Sequence, residues 1–384
     1  MAVQLRQLWP FHGGLRIPGK KAGSTQGPLG YAPVPPVLIH PMRQSLGAPA
    51  EPIVEVGETV KRGQPIGLSS GYVGAPVHAG SSGRVVAVEN RPVAHPSGLD
   101  GLCVVIETDG RDEDWGGLDP LNNYRTLNAA AIRARVRDCG IVGLGGATFP
   151  TSVKLNAGVG LQALILNGAE CESYISCDDM LLRNRASEVI AGAQIMLHAL
   201  EITLCLIAIE DDKPEALEAL NEAVEEANDS RLEVVTVPAI YPEGGERQLI
   251  EVLTGMQVPS EGIPADIGFL VQNVGTAAAV SRAILEGQSL TSRIVTVTGD
   301  GVAKPCNMEV RIGTPIADVI AHCGGYTDAA RHLVMGAAMM GFSLDSDEAP
   351  VTKATNCLLV ASSEEIRPKG DALACIRCGD CAQV

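Results

Sequence analysis

Apolar and polar positions change their spacing several times along this chain. Between Pro36 and about Thr108 the apolar residues fall in short runs broken by glycines. Ile53-Val-Glu-Val56 stops at Gly57, Arg84-Val-Val-Ala-Val88 follows a turn at Ser81-Ser-Gly83, and Leu102-Cys-Val-Val-Ile-Glu107 comes next. Strands of this length and spacing predict a small sandwich or barrel. Residues 1–36, rich in Gly, Pro and Lys with little periodicity, read as an arm. Trp115 to Arg125 is a Gly/Asn/Asp-rich linker, followed by a helix with Asn128 as N-cap, Ile132 and Val136 on one face and Gly140 past its end. Strands at Ala163–Leu166, Thr203–Ile209 and Leu232–Val237 then alternate with helices over 178–200, 214–228, 246–254 and 273–286. Such alternation implies parallel strands with helical crossovers, whose ligands bind at the carboxyl ends of the strands. Asn167-Gly-Ala-Glu-Cys-Glu172 lies at such an end. From Arg293 the period returns to two, in Ile294–Thr298 and Asn307–Arg311 around a turn at Gly299-Asp-Gly301. A helix from Pro315 to Cys323 and further strands within 354–360 complete a small β-grasp-like unit.

Composition narrows what such a chain can do. At 384 residues it holds two to three domains, and 46% apolar residues with 43 glycines allow a sizeable core and many tight turns. A formal charge of −16 with 3% aromatics argues against a nucleic-acid partner, which wants a basic face and stacking rings. No run approaches the ~20 apolar residues that span a bilayer; the most apolar stretch, Ile190 to Ile209, is interrupted by Gln194, His198 and Glu201. The first residues lack the apolar block and cleavage site of a signal peptide, so the reading is cytoplasmic, with membrane contact made through a partner. Of the 11 cysteines, eight are scattered and read as buried thiols in a reducing compartment. His198 and His322 fall in helices without metal spacing, and Met335-Gly-Ala-Ala-Met-Met340 reads as core filling.

The chemistry concentrates around Gly140-Ile-Val-Gly-Leu-Gly-Gly-Ala-Thr-Phe-Pro-Thr-Ser-Val-Lys154. Glycines allow positive φ and close approach to a flat or phosphorylated ligand, and a lysine supplies a point charge for a phosphate. The loop fails the dinucleotide fingerprint, because Thr148 stands where its last glycine would be and a helix precedes it. By itself it suits a tight turn as well as a ligand. The order Gly143–Lys154, Asn167–Glu172, Tyr241-Pro-Glu-Gly-Gly-Glu246 and Gln272-Asn-Val-Gly-Thr276 resembles the FMN- and NADH-binding flavoprotein subunit of respiratory complex I. The segment after it resembles the soluble-ligand-binding β-grasp domain that follows there. Val56–Ile66 and Ala75–Val88 resemble the barrel-sandwich hybrid of biotinyl and lipoyl carriers, although Ser69–Gly74 holds no lysine to modify. With His12-Gly-Gly-Leu15 and the terminal cysteines, the whole chain resembles the C subunit of the Rnf complex, an ion-translocating ferredoxin:NAD oxidoreductase.

That resemblance implies an α/β multidomain protein: arm 1–36, barrel-sandwich module 37–115, Rossmann-like FMN/NADH domain 116–290, β-grasp domain 291–362 and the start of a ferredoxin-like segment 363–384. It implies that Gly143, Gly145, Gly146 and Ala147 pack backbone against FMN, with Lys154 near its phosphate, Asn167 at the ring, and Asn273 and Thr276 at the phosphate end. Phe149 would stack on NADH; Glu170 joins the cofactor contacts, and Glu172 and Glu246 contact the nicotinamide nucleotide. Leu144, Ala169 and Gly245 replace charged residues of the complex I pattern. The implied activity is hydride exchange between NADH and FMN, passing single electrons to 4Fe–4S clusters coupled to ferredoxin. The setting is the cytoplasmic face of the bacterial inner membrane, docked on membrane subunits of the same complex. A cobalamin-reductase-like flavoprotein and a non-catalytic docking scaffold are the alternatives. Cys375, Cys378 and Cys381 begin the ferredoxin spacing C-x2-C-x2-C-x3-C, whose next cysteine would fall just beyond Val384. The expectation is therefore a chain cut within its iron–sulfur region, with an incomplete ligand set.

Overall fold

The computed structural model describes residues 7–156, 160–366, 375 and 377. Its arm has little regular structure, a short helix α1 (Ala22–Thr25) and a strand β1 (Gly30–Tyr31), yet it is pinned across the molecule. The Trp9 amide donates to the Val252 carbonyl (2.9 Å), Leu15 bridges Tyr241, and β1 joins the edge of the C-terminal sheet.

The barrel module follows as β2 (Val37–Pro41), β3 (Ala50–Pro52), β4 (Thr59–Val60), β5 (Pro65–Ser69), β6 (Val77–His78), β7 (Gly83–Pro92) and β8 (Asp100–Thr108). These strands form sheets in the orders β2-β8-β7-β4 and β3-β5-β6 around Leu38, Val60, Ile66, Val85, Val104 and Ile106. The strand expected at 53–56 is instead a loop. The chain reverses at Val56-Gly57, with Gly57 at φ +101°, and Ile53 and Val56 face solvent while Val54 turns inward.

Helix α2 (Ala129–Asp138) starts where expected, its Asn128 side chain accepting from the Ala131 amide at 2.9 Å, with Ile132 and Val136 fully buried. Gly140 at φ +67° then turns the chain into the glycine loop, which ends in the short α3 (Thr151–Lys154). The central sheet holds β9 (Ala163–Gly168), β10 (Cys205–Glu210), β11 (Leu232–Val237) and β12 (Phe269–Asn273), all parallel. Between them run α4 (Cys177–Leu200), α5 (Pro214–Ala227) and α6 (Glu246–Thr254), with α7 (Val274–Leu285) after β12. Alternate residues of β9 and β10 face opposite layers: Leu164, Leu166, Cys205, Ile207 and Ile209 meet the α2/α4/α5/α7 side, and Ala163, Ile165, Leu206 and Ala208 meet α6. Burial on both faces explains why these strands read as unbroken apolar runs.

The strand order is β11-β10-β9-β12. Successive strands move outward from β9 to β11, and β12 is then placed on the other side of β9. The reversal opens a crevice at the carboxyl ends of β9 and β12, where open α/β sheets bind ligands. β12 was absent from the expected strands, and it is what creates this crevice.

The C-terminal sheet runs β1-β14-β13-β17-β15-β16, from β13 (Ser292–Thr298), β14 (Cys306–Arg311), β15 (His332–Met335), β16 (Phe342–Leu344) and β17 (Cys357–Ala361), with α8 (Ile316–His322) packed on it. The methionine run departs from the core-filling expectation. Met335 ends β15 in the core, but Gly336 at φ +91° turns the chain outward, leaving Met339 49% and Met340 76% exposed. Among the described residues no helix is long and apolar enough to cross a membrane.

Candidate functional site

Two asparagines end the strands that flank the crevice, and they are register partners, Asn273 beside Asn167. Asn167 donates from Nδ2 to the Gly244 carbonyl (2.8 Å) and accepts from the Ala169 amide (3.1 Å). Asn273 caps α7 by accepting from the Gly275 amide (2.8 Å) and donates to Asp178 Oδ2 at 2.7 Å. The positive end of the α7 dipole is thereby presented at the crevice.

The glycine loop forms the facing wall. The Gly143 amide donates to the Phe149 carbonyl (2.9 Å) and the Thr148 amide to the Gly143 carbonyl (3.1 Å), with Gly146 and Thr148 at positive φ. Leu144 anchors the loop from below. Its amide donates to Thr276 Oγ1 (2.9 Å), and its carbonyl accepts from the buried Arg293 guanidinium (3.1 Å). Gly145, Gly146 and Ala147 remain exposed. A Cβ at Gly145 would sit 3.5 Å from Asn273 Cβ, and one at Gly146 would meet nothing within 4 Å. At Gly145 and Gly146 the wall is therefore bare backbone, with open space beyond Gly146.

Charged residues line the rim. Lys154 pairs with Glu246 (2.9 Å) and donates to the Val271 carbonyl (3.0 Å), which fixes both on the edge of β12. Glu170, at φ +55°, accepts from the amides of Asp178 (2.8 Å) and Asp179 (3.3 Å), sealing the start of α4, with Lys21 of the arm at 3.9 Å. Glu172 reaches the other way and accepts from the amides of Met339 (3.1 Å) and Met340 (3.2 Å). The structure thus joins Gly143–Ala147, Asn167, Glu170, Asn273 and Thr276 in one contact set, with Lys154–Glu246 as a second. Glu172 instead links the site to the loop between β15 and β16. Phe149 closes the loop through its carbonyl, and its ring is half-buried. Of the terminal thiols, Cys375 is exposed, and Cys378 and Cys381 lie outside the described residues.

Three groups at this crevice were not singled out from sequence. Arg293 reads as an ordinary strand-edge cation, and Asp178 as a first-turn helix acid. Burial, then the charge of Glu170, lifts Asp178 to about 7 against the Asn273 hydrogen bond, Arg293 and Lys21. Glu243 precedes Gly244 and reads as part of a turn, yet it is fully buried with both carboxylate oxygens unpartnered. Burial raises it to about 8, helped by Glu210 and Asp211 and opposed by Arg16. A carboxyl raised this way binds more protons folded than unfolded, so its contribution is complete below its unfolded value of 4.5 and is lost as pH rises through about 8. Glu243→Gln should therefore flatten the fall in melting temperature between pH 5 and 9; an unchanged pH profile contradicts this placement.

The geometry suits a flat, anion-bearing ligand. Residues 136–282 match the Nuo51 FMN-binding domain, 9–111 the RnfC barrel sandwich hybrid domain and 294–343 the SLBB domain. The C subunit of the ion-translocating oxidoreductase complex of Pseudomonas aeruginosa is 46% identical over 379 residues, 98% of this chain and 48% of that protein. Its counterpart in Vibrio cholerae is 42% identical over 383 residues (99% and 49%), and that of Serratia proteamaculans 44% over 381 (99% and 54%). The chain spans about half the length of the curated relatives it matches. Among solved structures, an NAD+-reducing [NiFe]-hydrogenase in the H2-reduced state overlaps 62% of this chain and 48% of its own, at 21% identity and a TM-score of 0.49. With three domain matches in order and such identity along nearly all its residues, the chain belongs to the family formed by the C subunits of ion-translocating oxidoreductase complexes.

Proposed function

We propose that this chain carries the flavin site of a peripheral electron-transfer subunit, binding FMN in the crevice and exchanging a hydride between NADH and that flavin. The observation that supports it best is the exposed wall Gly145–Ala147, which carries nothing larger than one methyl, opposite the start of α7 and inside the segment that matches an FMN-binding domain. A flat ring fits against bare backbone, and a phosphate fits a helix N-terminus. When bound, the flavin supplies the exchange between two-electron hydride chemistry and single-electron transfer.

The protein's own residues then hold, orient and shield. Gly143, Gly145, Gly146 and Ala147 give a wall that backbone can line closely, and Asn167 sets one edge. Asn273 and Thr276 hold the α7 terminus and the loop in mutual register for the phosphate end, with Lys154 as nearby positive charge. Phe149, Glu172 and Glu246 form the side open to the nicotinamide nucleotide, and Glu170 joins the cofactor contacts by holding the start of α4 beside Asn273. Cys375, Cys378 and Cys381 begin the route by which electrons leave toward 4Fe–4S clusters. In the whole protein, that route leads to membrane partners and ferredoxin on the cytoplasmic face of the bacterial inner membrane, coupled to ion movement. The names of the relatives support the part of this setting that places the chain in an ion-translocating oxidoreductase complex.

Mixing the purified protein with FMN tests the reading: a yellow complex that survives gel filtration is expected, and none forms on a mere docking scaffold. Glu172→Ala should lower the rate of reduction by NADH roughly 10- to 100-fold, the worth of a charge-assisted hydrogen bond. FMN affinity should be unchanged, and an equal loss of both would undo the role given to Glu172.

A further inference from the structure

The scattered cysteines are not all isolated thiols. Cys306, which opens β14, and Cys323, which follows α8, place their sulfur atoms 3.5 Å apart. The surrounding backbone is fixed: the Lys304 amide donates to the Cys323 carbonyl (2.9 Å) and the Ala303 amide to the Gly325 carbonyl (3.1 Å). A disulfide needs about 2.05 Å between sulfurs, an approach of roughly 1.5 Å. Side-chain rotation can supply much of it. Cys306 is partly exposed and Cys323 buried, so an oxidant in solution meets one sulfur first.

We propose that Cys306 and Cys323 form a modification site, a facing dithiol that closes to a disulfide when hydrogen peroxide oxidises it. The Cys306 thiolate attacks the peroxide oxygen; a sulfur–oxygen bond forms, the oxygen–oxygen bond breaks, and hydroxide leaves to become water. The Cys323 sulfur then displaces the second hydroxide from Cys306, and its proton completes the second water. Two thiols lose two electrons in all, and one peroxide is reduced to two waters. The order follows from the pair itself. The hydrogen bond from Cys323 pulls the Cys306 thiol down, favouring thiolate there, while the same contact and burial push Cys323 up. Burial instead raises the thiols of Cys103, Cys139, Cys177, Cys205 and Cys357. The site adjoins a structural node, because Asn307 donates to the Ser24 carbonyl and to Ser176 Oγ, both at 2.9 Å, tying the arm to the start of α4.

The test treats the folded chain with hydrogen peroxide, blocks free thiols with iodoacetamide and maps unreduced peptides by mass spectrometry. Oxidation of the exposed Cys375 serves as the internal control. The expected result is a cross-linked Cys306–Cys323 peptide, lighter by two hydrogens and released by dithiothreitol. In Cys323→Ser, Cys306 should stop at a sulfenic acid that dimedone traps. Recovery of both cysteines from the wild-type chain as free thiols, or as separate sulfinic acids, while Cys375 is oxidised would overturn the proposal.

Discussion

Gly145→Val is expected to eliminate FMN retention while leaving the protein folded. Gly145 lies outside the positive-φ region and is exposed, and its added Cβ would meet Asn273 only at normal contact distance. The protein alone therefore barely registers the change. A ligand lying on the wall does, because the branched side chain fills the space its ring needs. Overpacking of this kind costs about 1–3 kcal/mol per inserted group, so Gly145→Ala should weaken FMN by about tenfold and valine by about a hundredfold or more. Isothermal titration with FMN reads the affinity, and circular dichroism confirms the fold. Undiminished affinity in the valine variant would remove the glycine loop from the flavin site.

Gly192→Val is expected to unfold the α/β domain. Gly192 lies in α4 where it crosses α7, and a Cβ there would stand 1.9 Å from the Ala277 carbonyl oxygen. The obstacle is backbone, so no rotamer change relieves it; the two helices must separate. They bury Val189, Ile190, Ala193, Val274, Ala278 and Ile284 between themselves and the sheet. The loss should reach about 4 kcal/mol or more, the exceptional range for one substitution, against the ~5–15 kcal/mol that stabilises a typical domain. The site fails with the fold, since α7 carries the Asn273 cap and α4 carries its partner Asp178. Expression mainly in the insoluble fraction, or a lost thermal transition, is the expected readout. A soluble variant with unchanged melting temperature would contradict the close α4–α7 crossing.

How much of this was legible in sequence follows from how local each signal is. β9, β10 and β11 announce themselves as apolar runs between helical patterns, and α2 through Asn128, Ile132, Val136 and Gly140. β12 is five residues long and runs straight into a helix cap, so its periodicity is too brief to register. Without it the reversal of strand order, and the crevice, stay hidden. Glu243 beside two glycines looks like any turn residue, because its burial depends on distant chain. Cys306 and Cys323 are seventeen positions apart, and only the β14–α8 packing brings them together. Met339 and Met340 look like core, but a turn makes their amides the partners of Glu172. The roles of the site residues came from the order of motifs, which spacing alone leaves open between a tight turn and a ligand loop.

The central claim, that this crevice brings a flavin within reach of NADH, is tested most directly by one anaerobic titration. Protein reconstituted with FMN is mixed with increasing NADH while the flavin absorbance band is followed. Bleaching that is complete near one NADH per bound flavin is the predicted result. A bound flavin that stays oxidised in excess NADH, yet is bleached by dithionite, would contradict it.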